Sequence, residues 1–367
     1  MPKPESSRGG AKSRLALLLL LSFFAFPQFV PALSVGVVPA EFADARQPSL
    51  AISRTGEVHI TFGQRDAIYR SVSKDRGRSF APPELVAELP KLALGMRRGP
   101  RILCTPTTLV VTAISYADNN LHAWFSRDDG KTWKETSRIN RVAGAAREGL
   151  HASVGNGAGD VVVAWHDSRN GGMQLWRSTS HDGGLTWGEN AVVYQSPHGT
   201  ICECCHASLA MNVKGEAVIM WRNWLNGSRD LHLARSSDGG ETFGPAEKLG
   251  KGTWLLEGCP MDGGGITLDD QSRPVTIWRR EKAIFTTAGE SIETQITENG
   301  SQPVIAVSRG HTYSLWQSDG SLMLKKDGAE AISFAPNAGY STVAALPDGG
   351  VMVVWETDGT LVAEVVE

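Results

Sequence analysis

The chain has 367 residues and carries 36 basic against 39 acidic side chains, a formal charge of −3 at neutral pH. Residues 1–32 hold four of those bases and one acid, so the remainder is more acidic still, and no basic stripe interrupts it. Such a surface repels phosphate backbones and excludes nucleic acid as a natural partner.

At the start of the chain, Lys3, Arg8, Lys12 and Arg14 precede an apolar run from Leu15 to Phe26, and Val30-Pro31-Ala32 offers a small residue for cleavage. That order of basic, apolar and small residues predicts a signal peptide over 1–32. The run is too short to span a bilayer, and no cysteine follows closely to carry a lipid. The expectation is a periplasmic or secreted protein without a stable membrane anchor, folded as a single domain over 33–367.

Internal repetition dominates that domain. Four segments fit S-x-D-x-G-x-[ST]-[WF]: Ser73–Phe80, Ser126–Trp133, Ser180–Trp187 and Ser236–Phe243, with starts 53, 54 and 56 residues apart. Each has a mechanical reading. Asp75, Asp128, Asp182 and Asp238 accept hydrogen bonds from backbone N–H groups of their own turns. The glycine supplies a positive φ, and the closing Trp or Phe packs between neighbouring sheets. These are Asp boxes, and their expected role is structural.

Around each box, short β-like runs recur at 8–12-residue spacing, the pattern of antiparallel strands. In the third unit these are His151–Val154, Asp160–Trp165, Met173–Ser178 and a run ending at Val193–Tyr194. Four strands per repeat, arranged radially, make a propeller blade. The predicted innermost strands are Pro48–Ile52, Pro100–Cys104, His151–Val154, His206–Met211, Gly263–Leu268, Pro303–Val307 and Ser341–Ala345. The fifth and sixth units keep only box remnants, at Thr287–Glu290 and Lys326–Gly328. The seventh unit has three strands, and Ser34–Val38 supplies a fourth that closes the ring. The fold class is therefore an all-β Asp-box propeller of seven blades, with six as the alternative.

The boxes lie on one face, so ligands are expected on the other, where innermost strands begin and second strands end. Polar groups gather there: Arg65-Asp66, His166–Arg169, Arg222-Asn223 and Arg279–Glu281, three of them directly after Trp165, Trp221 and Trp278.

Three segments resemble the bacterial exo-α-sialidases. Arg46-Gln47-Pro48 is similar to the family's Arg-Ile-Pro signature. Trp221-Arg222-Asn223 is similar to the strand carrying a second family arginine. Gly339-Tyr340-Ser341-Thr342, with Trp355-Glu356 after it, resembles the last family blade, whose tyrosine is the nucleophile. The resemblance implies Arg46 and Arg222 as carboxylate clamps and Tyr340 as a nucleophile outside the two-carboxylate rule. It also leaves gaps. Arg97-Arg98-Gly99-Pro100 stands where the acid–base Asp belongs, Cys205-His206 where the activating Glu belongs, and no third arginine lies near Trp316–Asp319. Loss of a general acid–base group costs about 10²–10⁴-fold in rate.

Five cysteines leave at least one thiol free, shared or metal-bound. Cys202-Glu203-Cys204-Cys205-His206 opens the fourth innermost strand and Cys259-Pro260-Met261-Asp262 the fifth, which puts both on the ligand face. Three readings stay open. One is disulfide bonding, Cys205 with Cys259 and Cys202 with Cys204 or Cys205. Another is a soft-metal site of Cys202, Cys204, Cys205, His206, Cys259 and Met261, suited to copper ahead of zinc. The last is a redox-active pair. Cys104 is expected as a core thiol. The sequence thus points to an exported binding or accessory protein taking a small-molecule, glycan or protein ligand at the propeller mouth. A divergent Tyr-dependent glycoside hydrolase is the rival.

Overall fold

The computed structural model describes residues 1–4, 34–289 and 292–367, so most of the expected signal peptide lies outside the described residues. Among these, 28 strands form seven four-stranded antiparallel sheets. The innermost strands are Arg46–Ile52, Arg101–Cys104, His151–Gly155, Ser208–Met211, Gly265–Leu268, Ser301–Ser308 and Ala338–Ala345. Each contacts the next, and the last contacts the first. This is a closed seven-bladed propeller. Among the described residues no helix is long and apolar enough to cross a membrane.

The second strands show why the sheets stack radially. Leu109–Ser115 and Ala217–Arg222 are buried along their whole length. A strand covered by a sheet on both sides loses the in–out alternation of a half-exposed one, and β-branched residues fill it well. Val161, Val162, Val163, Ala164 and Trp165 are all fully enclosed.

The Asp boxes bind blade to blade. In the second box, Ser126 Oγ donates to Asp128 Oδ1 at 2.8 Å, Thr132 N donates to the same oxygen at 2.9 Å, and Thr132 Oγ1 donates to Oδ2 at 2.6 Å. The other three boxes repeat the pattern. Their glycines meet the preceding blade: a Cβ at Gly184 would lie 2.6 Å from Val110, and one at Gly240 would lie 2.5 Å from Val162. Both have positive φ, so a side chain is excluded twice over. The box aromatic completes the joint, as Trp187 packs with Leu103 and Val110 of the blade before it.

Ring closure runs through blade 7. Val35 pairs with Ala363 and Gly36 with Val362, so the first strand of the ring completes the last sheet. At the opposite rim from the boxes, blades 1, 6 and 7 share a device. Their innermost strands slip register between Arg46 and Ser49, Ser301 and Val304, and Gly339 and Thr342. The residues inside these bulges, Gln47, Gln302 and Tyr340, have φ of 55°, 53° and 46°. Bulges of this kind re-aim side chains, and these three stand around the channel mouth.

Candidate functional site

A cavity of about 230 Å³ occupies the mouth of the central channel, lined by Gln47, Arg97, Arg101, His206, Ser208 and Tyr340 among others. Arg97 comes from the connection between blades 1 and 2 and reaches across the mouth. Its Nε donates to Gln302 Oε1 at 2.9 Å, Nη2 to the Gln302 carbonyl at 2.8 Å and Nη1 to the Ser341 carbonyl at 2.6 Å. Arg101 sits below it and donates to the carbonyls of Arg97, Gly99 and Pro100. Neither guanidinium has a carboxylate among the described lining residues.

Burial lowers Arg97, and Asp262 and Glu356, outside that lining, act against the shift. Burial and the neighbouring Arg97 push Arg101 down to about 10. Burial, then Arg97 and Arg101, hold His206 well below the ordinary imidazole range, so it is neutral. Its Nε2 lies 3.0 Å from the Gly264 carbonyl, which also accepts Ser208 Oγ at 2.8 Å. Blade 5 approaches so closely here that a Cβ at Gly263 would collide with the His206 carbonyl.

Tyr340 is half-buried at the rim, its hydroxyl 2.7 Å from Met96 Sδ. Burial and then Glu356 raise its pKa, while Arg97 and Arg46 lower it. Glu356 is itself raised by burial, and its Oε1 accepts Gln47 N at 2.6 Å and Gln47 Nε2 at 3.0 Å. Arg46 is exposed beside this pair. Arg222 does not join them. It is 1% exposed, and its guanidinium is spent on the main-chain carbonyls of Asp262, Arg229 and Arg279. The Trp-Arg pattern alone does not reveal this, because the three acceptors come from two blades.

The cysteines form a separate cluster. A disulfide joins Cys204 to Cys259 across blades 4 and 5, with Cα atoms 6.3 Å apart. The bond uses Cys204, not Cys205 as expected, because the backbone turn aims the earlier sulfur at the neighbouring loop. Cys202 and Cys205 remain thiols, with sulfurs 3.2 Å apart, and each lies 3.9 Å from Cys204 Sγ. Met261 packs against the three cysteines of blade 4. His206 turns away into the channel, so the six expected metal donors do not converge. Cys104 is half-buried rather than enclosed, and burial raises its thiol to about 12.

Several participants are not apparent from the sequence pattern: Arg101, Gln302 and the bridging role of Asp262. One signal was available. Gln-Pro occurs at the same repeat position in blades 1 and 6, as Gln47-Pro48 and Gln302-Pro303. Asp262 is fully buried. Its N–H donates to Cys205 Sγ at 3.4 Å, and its Oδ2 accepts Gln302 N at 2.7 Å. The cysteine cluster and Gln302 are therefore linked through one residue, Asp262, by its main-chain N–H on one side and its carboxylate on the other.

The fold and the boxes define a seven-bladed Asp-box β-propeller. The BNR repeat-like domain model matches residues 107–251. Similar solved structures include a PL25 ulvan lyase (12% identity, TM-score 0.60, 91% of this chain and 96% of that one). An α-L-arabinanase from Penicillium chrysogenum complexed with arabinobiose is 16% identical (TM-score 0.55, 92% and 98%). Virginiamycin B lyase from Staphylococcus aureus is 13% identical (TM-score 0.56, 91% and 99%). At these identities the likeness is one of fold. No curated protein matches the chain.

Proposed function

We propose that this is an exported binding or accessory protein that holds a small anionic ligand, such as a single carboxylate-bearing sugar, at the mouth of the central channel. The observation that carries this reading is the pair Arg97 and Arg101 facing a cavity whose described lining holds no acid, with Asp262 and Glu356 acting on Arg97 from outside that lining and no acid acting on Arg101. A cavity of about 230 Å³ is below the range of drug-sized sites, which suits one sugar ring rather than a chain. Charge-assisted bonds to a carboxylate would satisfy guanidinium protons that backbone carbonyls leave free. Glycan-active proteins share this fold, as the arabinanase and ulvan lyase illustrate.

Titration of the full chain with glucuronate and with glucose tests it. Glucuronate is expected to bind at least about tenfold more tightly, a single charge-assisted bond being worth roughly 1.5–3 kcal/mol. That preference should weaken with salt and disappear in Arg101→Met. Equal binding of both sugars overturns the proposal. A hydrolase reading retains one supporting observation, the electrostatic coupling of Tyr340 to Glu356. Turnover of an activated sialoside, abolished by Tyr340→Phe, would favour it over binding alone.

A further inference from the structure

Two of the four clustered sulfurs are tied in a disulfide and two are not, and they differ in access. Cys259 is exposed, whereas Cys202 and Cys205 are fully buried behind Cys204. We propose that Cys202, Cys204, Cys205 and Cys259 form a two-layer thiol–disulfide exchange centre, in which the outer Cys204–Cys259 bond passes electrons from the inner Cys202/Cys205 dithiol to a disulfide-bearing partner. This goes beyond ligand binding at the channel and does not depend on it.

The geometry supplies each transfer. The Cys202 thiolate attacks Cys204 Sγ, 3.9 Å away. A Cys202–Cys204 bond forms, the Cys204–Cys259 bond breaks, and Cys259 leaves as a thiolate that takes up the proton Cys202 lost. Cys205, 3.2 Å from Cys202, then attacks Cys202 and releases Cys204. The disulfide has moved from the outer pair to the inner one, and no oxidant has been consumed. The outer dithiol, with Cys259 at the surface, attacks the partner's disulfide. A mixed disulfide forms, Cys204 resolves it, and the partner leaves as a dithiol with the outer bond restored. In the net reaction the inner dithiol is oxidised by two electrons and the partner's disulfide is reduced by two.

Thiol character supports the direction. Contact with the Cys205 sulfur at 3.2 Å outweighs burial and holds Cys202 below the ordinary thiol range, which favours it as the attacking sulfur. Burial raises Cys205, so it waits as a thiol and acts second. The spacing Cys202-Glu203-Cys204-Cys205 places these two at the separation of redox-active Cys-x-x-Cys pairs.

The test is disulfide mapping by differential alkylation and mass spectrometry on the full chain, with oxidised glutathione as the probe. Wild type is expected to release two glutathione thiols per chain and to gain a Cys202–Cys205 bond while keeping Cys204–Cys259. Cys259→Ser should slow inner-pair oxidation at least tenfold. Cys205→Ser, which leaves the outer bond able to form, should trap Cys202–Cys204 with Cys259 free. Oxidation of the inner pair at an unchanged rate in Cys259→Ser overturns the relay. So does a failure to form the inner bond at any glutathione ratio, or stoichiometric copper on Cys202 and Cys205 that blocks oxidation. Ligand titrations at the channel are a separate readout, so failure of one proposal leaves the other standing.

Discussion

Arg97 Nη1 donates to the Ser341 carbonyl at 2.6 Å, joining residues 244 apart in sequence. The bond runs across the channel mouth from the blade 1–2 connection to blade 7 and fixes a guanidinium beside Tyr340, whose ring lies 5.9 Å from it. Only the closed ring brings this guanidinium to blade 7.

Arg222 is expected to be a structural residue. Arg222→Met would leave one buried and two partly buried carbonyls without their donor, at a cost of about 3 kcal/mol. Urea unfolding should register that loss, and Arg222→Lys should recover part of it. Unchanged stability with lost sugar binding would instead make Arg222 a ligand clamp.

Acid should loosen the boxes. Asp75, Asp128 and Asp238 are held down at about 2, Asp75 and Asp128 chiefly by hydrogen bonds from their own turns and Asp238 by the same bonds against some burial. A carboxylate depressed in the folded state stabilises fully above its unfolded pKa and loses that contribution as pH falls through the folded value. Thermal stability should therefore drop between about pH 4 and pH 2. An Asp128→Asn variant should lower Tm by a few degrees at pH 7 and show a shallower acid limb.

A second loss should begin higher. Burial holds His59 and His166 at about 4, against 6.5 for a free imidazole. The unfolded chain takes up protons first, so the contribution of these two histidines to stability falls as pH drops below about 6.5 and levels near 4. His166 Nδ1 lies 3.1 Å from the Glu203 carbonyl. Denaturant titrations of His166→Gln between those limits should show a flatter slope than wild type.

Tyr340→Phe removes only a hydroxyl whose partner is a thioether. Glucuronate affinity should change by less than about threefold, and Tm should stay within a degree or two, the usual range for a change that breaks no strong bond. Calorimetry checks both. A loss of tenfold or more would put the phenol in the ligand's path.

The propeller was legible because its signals are local and repeated. Four boxes in register and runs such as Val161–Trp165 specify strands wherever they occur. The site was legible only in outline. Nothing near Arg97 says that its carbonyl partners are residues 302 and 341, since only the closed ring brings them together. Cys204 and Cys205 are adjacent, and which one faces Cys259 depends on the path of a turn. His206 follows them directly, yet the start of its strand sends it to the channel instead of the sulfurs.

Pairing of Val35 with Ala363 has a consequence for how the molecule is made. Blades 1 to 6 draw all four strands from one contiguous stretch and can form as each repeat emerges. Blade 7 cannot, because its edge was synthesised first and its other three strands last. Until the final residues are delivered, the assembly is an open arc with two bare rims, the stage at which wrong partners are most readily recruited. Deleting Val35–Gly36 or Thr360–Val366 should therefore impair yield far more than the few contacts removed would suggest.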